Sequence, residues 1–258
     1  NWSSPAGKQV RISSHRLVSL EYRHVTAIEY EITVDTDAPI VISSQMLNRQ
    51  DSRAIDEPTT NGNGDPRRAK TFSHRVLNAR SHTESEHRIV TGYRTTNSKM
   101  SLGVGMDHVI ETENTWNATR SWSDDLGKIV FTIDARAGTP IRITKYATYH
   151  TSRSVPPVEL VDRCMRTLDR HMRDGYVILE TSQRAFLADF WAKADVSVGA
   201  APHIQQATRW NIFQLCQASA RAETTGIPAK GLTGQAYEGH YFWDTEIYVT
   251  PFLSYTNP

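Results

Sequence analysis

The chain has 258 residues, of which 38% are hydrophobic and 22% charged, enough apolar material for one large domain or two ordinary ones and too much for wholesale disorder. With 29 basic residues against 28 acidic ones the net charge is +1, which offers no field for a polyanion and argues against a nucleic-acid partner. No apolar run approaches the ~20 residues that a membrane-spanning helix requires, so no membrane partner is expected.

The first residues, Asn1 to Lys8, carry neither a basic stretch nor an apolar core of the kind found in a secretory signal, and there is no initiator Met. Sequons stand at Asn1-Trp-Ser and Asn117-Ala-Thr. Cys164 and Cys216 lie far apart in segments of helical pattern. A disulfide between them is the alternative; buried free thiols and a reducing, cytoplasmic compartment are the expectation.

Residues ~9–150 read as strands. Ile28, Tyr30, Ile32 and Val34 alternate with Glu29, Glu31 and Thr33, leaving one apolar and one wet face. Met100, Leu102, Val104 and Met106 alternate with Ser101, Gly103 and Gly105, and Ile129, Phe131 and Ile133 repeat the pattern. Turn residues at Asp37-Ala-Pro39, Asn97-Ser98 and Asp124–Gly127 separate the runs. Many strands with no helical pattern between them predict an antiparallel β-sandwich over 1–153. The polar stretch Asn48–Lys70 reads as one long loop within it, and Arg67, Arg68 and Lys70 there as a solvated basic run.

At Pro156-Pro157 the pattern changes to the helical period. Leu160, Cys164, Leu168 and Met172 recur at four-residue spacing, and Gly175 stops the helix. A second helix runs from Tyr176 to Ala194, and a third opens at Pro202 with Ile204, Thr208, Ile212, Leu215 and Ser219 on one side. A fourth begins near Asp244, with Pro251 inside it and bending its axis. The fold class is therefore multi-domain α+β: an N-terminal β-sandwich (1–153), a helical linker (154–200) and the start of an all-α portion (201–258). The chain ends directly after an apolar run, so more helices are expected to follow, and Ile212, Leu215, Ile247 and Phe252 are expected to stand exposed.

Chemistry concentrates in Gly231–Glu246. Glycines stand at 231, 234 and 239, aromatic side chains at Tyr237, Tyr241, Phe242 and Trp243, and Asp244, Thr245 and Glu246 follow. An indole beside a carboxylate suits a sugar: the ring covers the C–H face and the carboxylate accepts from hydroxyls. The plainer alternative makes Trp243 core and Asp244 the N-cap of the fourth helix, with Thr245 its first residue. Glu246 is weighed as a general acid beside the aromatic cluster, but acidic residues in a first helical turn are favoured by the helix dipole alone. His240 is either a polarising group for a substrate oxygen or a packed, hydrogen-bonded residue. Lys230–Thr233 lacks the order of a phosphate loop, no nucleophile elbow occurs, and the ten His and two Cys show no zinc spacing, so no metal is expected.

Two blocks, Ile227-Pro-Ala-Lys-Gly-Leu-Thr-Gly234 and Gly239-His-Tyr-Phe-Trp-Asp-Thr-Glu246, resemble glycoside hydrolase family 65, the family of maltose, trehalose and kojibiose phosphorylases and some trehalases. Leu17–His24 with Ala27–Glu31, and Ser43–Asp51, extend the resemblance into the strand region. It implies a β-sandwich, a helical linker and then an (α/α) barrel of six helical hairpins, of which 201–258 would supply the first helices. It further implies that Phe242, Trp243 and Asp244 contact the non-reducing glucosyl unit, with His240, Glu246 and Tyr237 in support. The parent would be an inverting phosphorylase that converts a trehalose-, maltose- or kojibiose-type disaccharide and phosphate to glucose 1-phosphate and glucose, with phosphate as co-substrate and no other cofactor. An inverting trehalase or other α-glucoside hydrolase is the alternative within the class. A non-catalytic carbohydrate-binding or dimerisation module is the alternative outside it. The family's general acid and phosphate loop belong downstream of Pro258, so this chain alone is expected to be inactive and the parent to be a homodimer.

Overall fold

In the computed structural model the described residues are 1–5, 7–48, 75–199, 201–219, 226–229, 231, 237 and 240–256. Nearly all of the expected 48–70 loop, Lys230, Gly234 and Gly239 lie outside them. The strands are β1 (Trp2–Ser3), β2 (Gln9–Val18), β3 (Val25–Val34), β4 (Ala38–Leu47), β5 (Leu77–Ser85), β6 (Arg88–Thr95), β7 (Ser101–Glu111), β8 (Thr115–Ser123), β9 (Leu126–Ala135) and β10 (Ile141–Ser152). They form two sheets, in the orders β1-β2-β3-β10-β7-β6-β5 and β4-β9-β8, with antiparallel pairing throughout. The helices are α1 (Pro157–Asp174), α2 (Tyr176–Ala194), α3 (Pro202–Ser219), α4 (Asp244–Tyr248) and α5 (Thr250–Thr256). Up to Thr181 the described residues form one compact unit, and from Ser182 a second.

In the first unit the alternation of side chains across each strand builds two cores on opposite faces of the larger sheet. Ile32, Val34, Ile89, Met106, Ile141 and Ile143 face Ile129, Phe131 and Ile133 of β9, and this is the sandwich core. Val25, Ala27, Val90 and Tyr146 point the other way and pack against Val161, Cys164 and Leu168 of α1 and Leu179 of α2. Leu160, Leu168 and Leu179 are fully buried, and each such burial stabilises by about 1.5–3 kcal/mol. Gly175, with φ +83°, ends α1 where its sequence predicts, and its N–H donates to the His171 carbonyl.

The alternation in β7 marks one apolar face, yet both faces are covered. Gly92 of β6 and Gly103 of β7 are cross-strand partners. A Cβ on Gly103 would stand 2.7 Å from the Leu160 carbonyl oxygen, and one on Gly92 2.8 Å from that of Pro157. The missing side chains let the backbone of α1 rest directly on the sheet.

His108 is the buried polar group at the centre of the sandwich. Its Nδ1 donates to the His87 carbonyl at 3.0 Å, and its Nε2 accepts from the Ser44 hydroxyl at 2.7 Å, which defines a neutral tautomer. Burial lowers its pKa from the ordinary 6.5 to about 4. The folded state therefore resists a proton that the unfolded chain takes up. The stabilisation is complete above pH 6.5 and is lost as pH falls toward 4, by on the order of 3 kcal/mol in all. His150, which burial also lowers to about 4, and His171 act in the same direction. The melting temperature should drop between pH 7 and pH 4.5, and the His108→Gln variant should show a shallower drop. Equal slopes for the two proteins would refute the assignment.

In the second unit, the Asp195 carboxylate takes two hydrogen bonds from Arg209, at 2.8 and 2.6 Å. Gln205 accepts from the Val198 N–H and donates to the Val196 carbonyl, so α3 pins the connector that precedes it. Ile212 and Cys216 are buried, contrary to the exposure expected of Ile212, and Leu215 and Phe252 are half-buried. Ile247 is exposed. Both cysteines are free, and burial pushes their thiols up to about 12 (Cys164) and about 11 (Cys216), which leaves them unreactive.

The predicted fourth helix is two. It stops at Val249, and α5 restarts at Thr250 with Pro251 as its second residue. A first-turn N–H has no partner within its own helix, so proline costs little there, whereas one continuous helix would have left the carbonyl four residues back against its ring.

Candidate functional site

The described residues of 226–246 are held by backbone bonds on both sides of the aromatic run. The Gly231 N–H donates to the Pro228 carbonyl at 2.8 Å, with Gly231 at φ +66°, a left-handed conformation that glycine adopts without strain. The Ala229 N–H donates to the His240 carbonyl at 3.1 Å and ties the two arms together. Tyr237 is also left-handed, at φ +59°, where a non-glycine residue is strained. Its carbonyl accepts both the backbone N–H and the Nδ1–H of His240, each at 2.9 Å. With Nδ1 committed to that carbonyl, Nε2 is the ring nitrogen left open.

These contacts orient the aromatic residues. The rings of Tyr237 and Phe242 meet edge to face at 5.0 Å. The Tyr241 ring lies against Gly226, where a Cβ would come within 2.5 Å of it. Trp243 is 74% exposed, so it is not core. Asp244 is the first residue of α4 and not its N-cap. The cap position is Trp243, already helical at φ −64° and ψ −14°, and no side chain caps the turn. Among the described residues, then, neither side chain is engaged by packing or capping. Glu246 is exposed on the same first turn, where its charge complements the helix dipole. The structure brings Tyr237, His240 and Phe242 into one hydrogen-bonded and ring-packed cluster, and Trp243 and Asp244 follow it with an open indole face and an exposed carboxylate. Such a pair can cover an apolar ring face and accept hydrogen bonds beside it.

The sequence reading missed a groove of about 690 Å³ lined by Trp191 of α2 and by His203, Gln206, Arg209, Trp210 and Phe213 of α3. Trp210 and Phe213, three residues apart, share one face of α3, opposite the side that carries Ile204, Thr208, Ile212 and Leu215. Among the described residues no helix is long and apolar enough to cross a membrane.

Comparison with known proteins identifies the family. Residues 1–190 match the glycosyl hydrolase family 65 N-terminal domain, and residues 209–258 match the family's central catalytic domain. The chain belongs to glycosyl hydrolase family 65. It is 39% identical over its whole length to an uncharacterised glycosyl hydrolase of Mycobacterium leprae and 32% identical to an α,α-trehalose phosphorylase of Thermoanaerobacter brockii, covering 32% of each. A solved structure from the human microbiome, assigned as a kojibiose phosphorylase, superimposes with a TM-score of 0.80 over 97% of this chain and 31% of its own, at 21% identity. This likeness bears out the sandwich followed by helices as the fold. The chain spans about a third of the length of the relatives it matches.

Proposed function

We propose that the full-length protein is an inverting α-glucoside phosphorylase, and that this chain supplies the wall that grips the non-reducing glucosyl unit. The observation that carries the reading is the exposed Trp243 indole beside the uncapped Asp244 carboxylate, in a segment held by the Tyr237–His240 bonds. Similarity to a trehalose phosphorylase over the whole of this chain, which is 32% of that protein, supports it. The indole of Trp243 covers the C–H face of the sugar, with Phe242 beside it. Asp244 accepts from ring hydroxyls, and the His240 Nε2 accepts from a neighbouring one. Glu246 and Tyr237 support the turn. Residues beyond this chain supply the proton donor. That acid protonates the departing glycosidic oxygen while a phosphate oxygen attacks the anomeric carbon from the opposite face, so an α-linked disaccharide yields β-glucose 1-phosphate and a free sugar. Phosphate arrives already anionic and needs no second carboxylate as base, and the reading requires no other cofactor and no metal. We further propose a cytoplasmic homodimer.

Full-length protein incubated with trehalose, maltose or kojibiose should release glucose 1-phosphate only when phosphate is present. Glucose release at the same rate with and without phosphate would replace the phosphorylase reading with a hydrolase.

A further inference from the structure

A second cavity, of about 590 Å³, opens where the outermost strand β5 meets β6 and the start of α1. Asn78, Arg80, Arg94, Thr96, Lys99 and Pro157 line it, and among the described residues no carboxylate does. Three features build it. Ala79 pairs with Tyr93 and Ser81 with Gly92, so Arg80 is the extra residue of a β-bulge. A bulge re-aims a side chain that regular pairing would direct elsewhere. Lys99 is held left-handed at φ +57°, and its carbonyl accepts from Arg94 Nε at 3.2 Å, which leaves the terminal guanidinium nitrogens as the outward donors. The Lys99 ammonium donates to the Thr96 carbonyl at 2.7 Å, and Asn78 Nδ2 donates to the Thr96 hydroxyl at 2.8 Å, so the loop is braced from both strands.

Arg75, Arg88, Arg142 and Arg209 each pair with a carboxylate. Among the described residues Arg80 and Arg94 have no such pair. Three like charges gathered in one concavity repel one another and focus a positive field, and an anion relieves both effects. Two guanidinium forks and an ammonium match the several oxygens of a tetrahedral oxyanion better than a single carboxylate.

We propose that this cavity is a binding site for a phosphate group, taken either as inorganic phosphate or as the phosphate of a sugar phosphomonoester. The site belongs to the β-rich unit, and its occupancy does not depend on whether the reaction is phosphorolytic.

The test is calorimetric titration of the full-length protein with inorganic phosphate, at constant ionic strength set with chloride. Wild type should bind one phosphate per chain more than the Arg80→Gln/Arg94→Gln double variant, or bind it about tenfold or more tightly. The single Arg80→Gln change, at an exposed bulge residue, stands in if the double variant fails to fold as judged by circular dichroism. A parallel titration with glucose 1-phosphate separates the two sources. Tenfold tighter binding at this step assigns the sugar phosphate, and equal affinity assigns inorganic phosphate. Identical isotherms for wild type and variant, or a difference that disappears when chloride is raised in place of phosphate, would overturn the proposal.

Discussion

Replacing Trp243 with Ala in the full-length enzyme should raise the KM for disaccharide by about 10–100-fold, because losing the apolar cover of one sugar face forfeits about 1.5–3 kcal/mol. Stability should hardly move. The indole is 74% exposed in this chain, and exposed substitutions usually stay within about 0.5 kcal/mol. Trp243→Phe should recover part of the loss, since a smaller ring still offers an apolar face. Asp244→Ala should lower kcat/KM by a similar factor, as hydrogen bonds to a charged group contribute about 1.5–3 kcal/mol. Asp244→Asn should lie between the two, keeping one acceptor oxygen without the charge. Steady-state kinetics alongside thermal melting separate the roles. A Trp243→Ala protein with wild-type KM and a markedly lower melting temperature would make the residue structural and remove the sugar-gripping wall from the proposal.

The largest effect on stability should come from Arg88. Its guanidinium has only 12% of its side-chain surface exposed and bridges the sheet to α1, reaching Asp107 of β7 at 2.5 Å and Asp169 of α1 at 2.7 Å. The sulfurs of Met165 and Met172 lie 3.7 Å from its terminal nitrogens. The other Asp107 oxygen accepts the His108 N–H at 2.7 Å, so this buried carboxylate is fully engaged. Arg88→Ala strands it. Removing one partner of a buried pair costs about 3–5 kcal/mol, whereas replacing both by apolar residues of similar volume is often close to neutral. Arg88→Ala should therefore unfold several degrees earlier, and Arg88→Met with Asp107→Leu should restore most of the loss. Asp169 is 61% exposed and can turn to water when its partner goes. If the double substitution proves as damaging as the single one, the unpaired carboxylate is not the cause.

Much of this architecture was legible in the residues. The period-2 alternation in β3 and β9 and the glycine and proline stops around α1 and α3 are local signals, since strand pleat and helix capping act over a few neighbours. The family blocks around Ile227 and Trp243 were legible for the same reason. Other features depended on partners far away in the chain. Gly92 and Gly103 look like weak points in two strands until α1 lies across both, and Arg80 looks like any polar strand residue until a bulge turns it. Arg88 and Asp107 stand 19 residues apart, and Asp169 comes from another element altogether; their union follows only from the register of β6 on β7 and the seat of α1.

The sequence by itself determined the element types, the order of strands before helices, the family, and the residues that place an indole beside a carboxylate. Tertiary structure decided which faces are buried and which side chains stay open. It covered the glycine side of β7, because a helix backbone can approach only where no Cβ intervenes. It split the last helix before Pro251, because a proline ring is tolerated in a first turn and not further in. It also left Trp243 and Asp244 exposed, because neither burial nor capping is a property of a residue alone: each needs a neighbour in the right place.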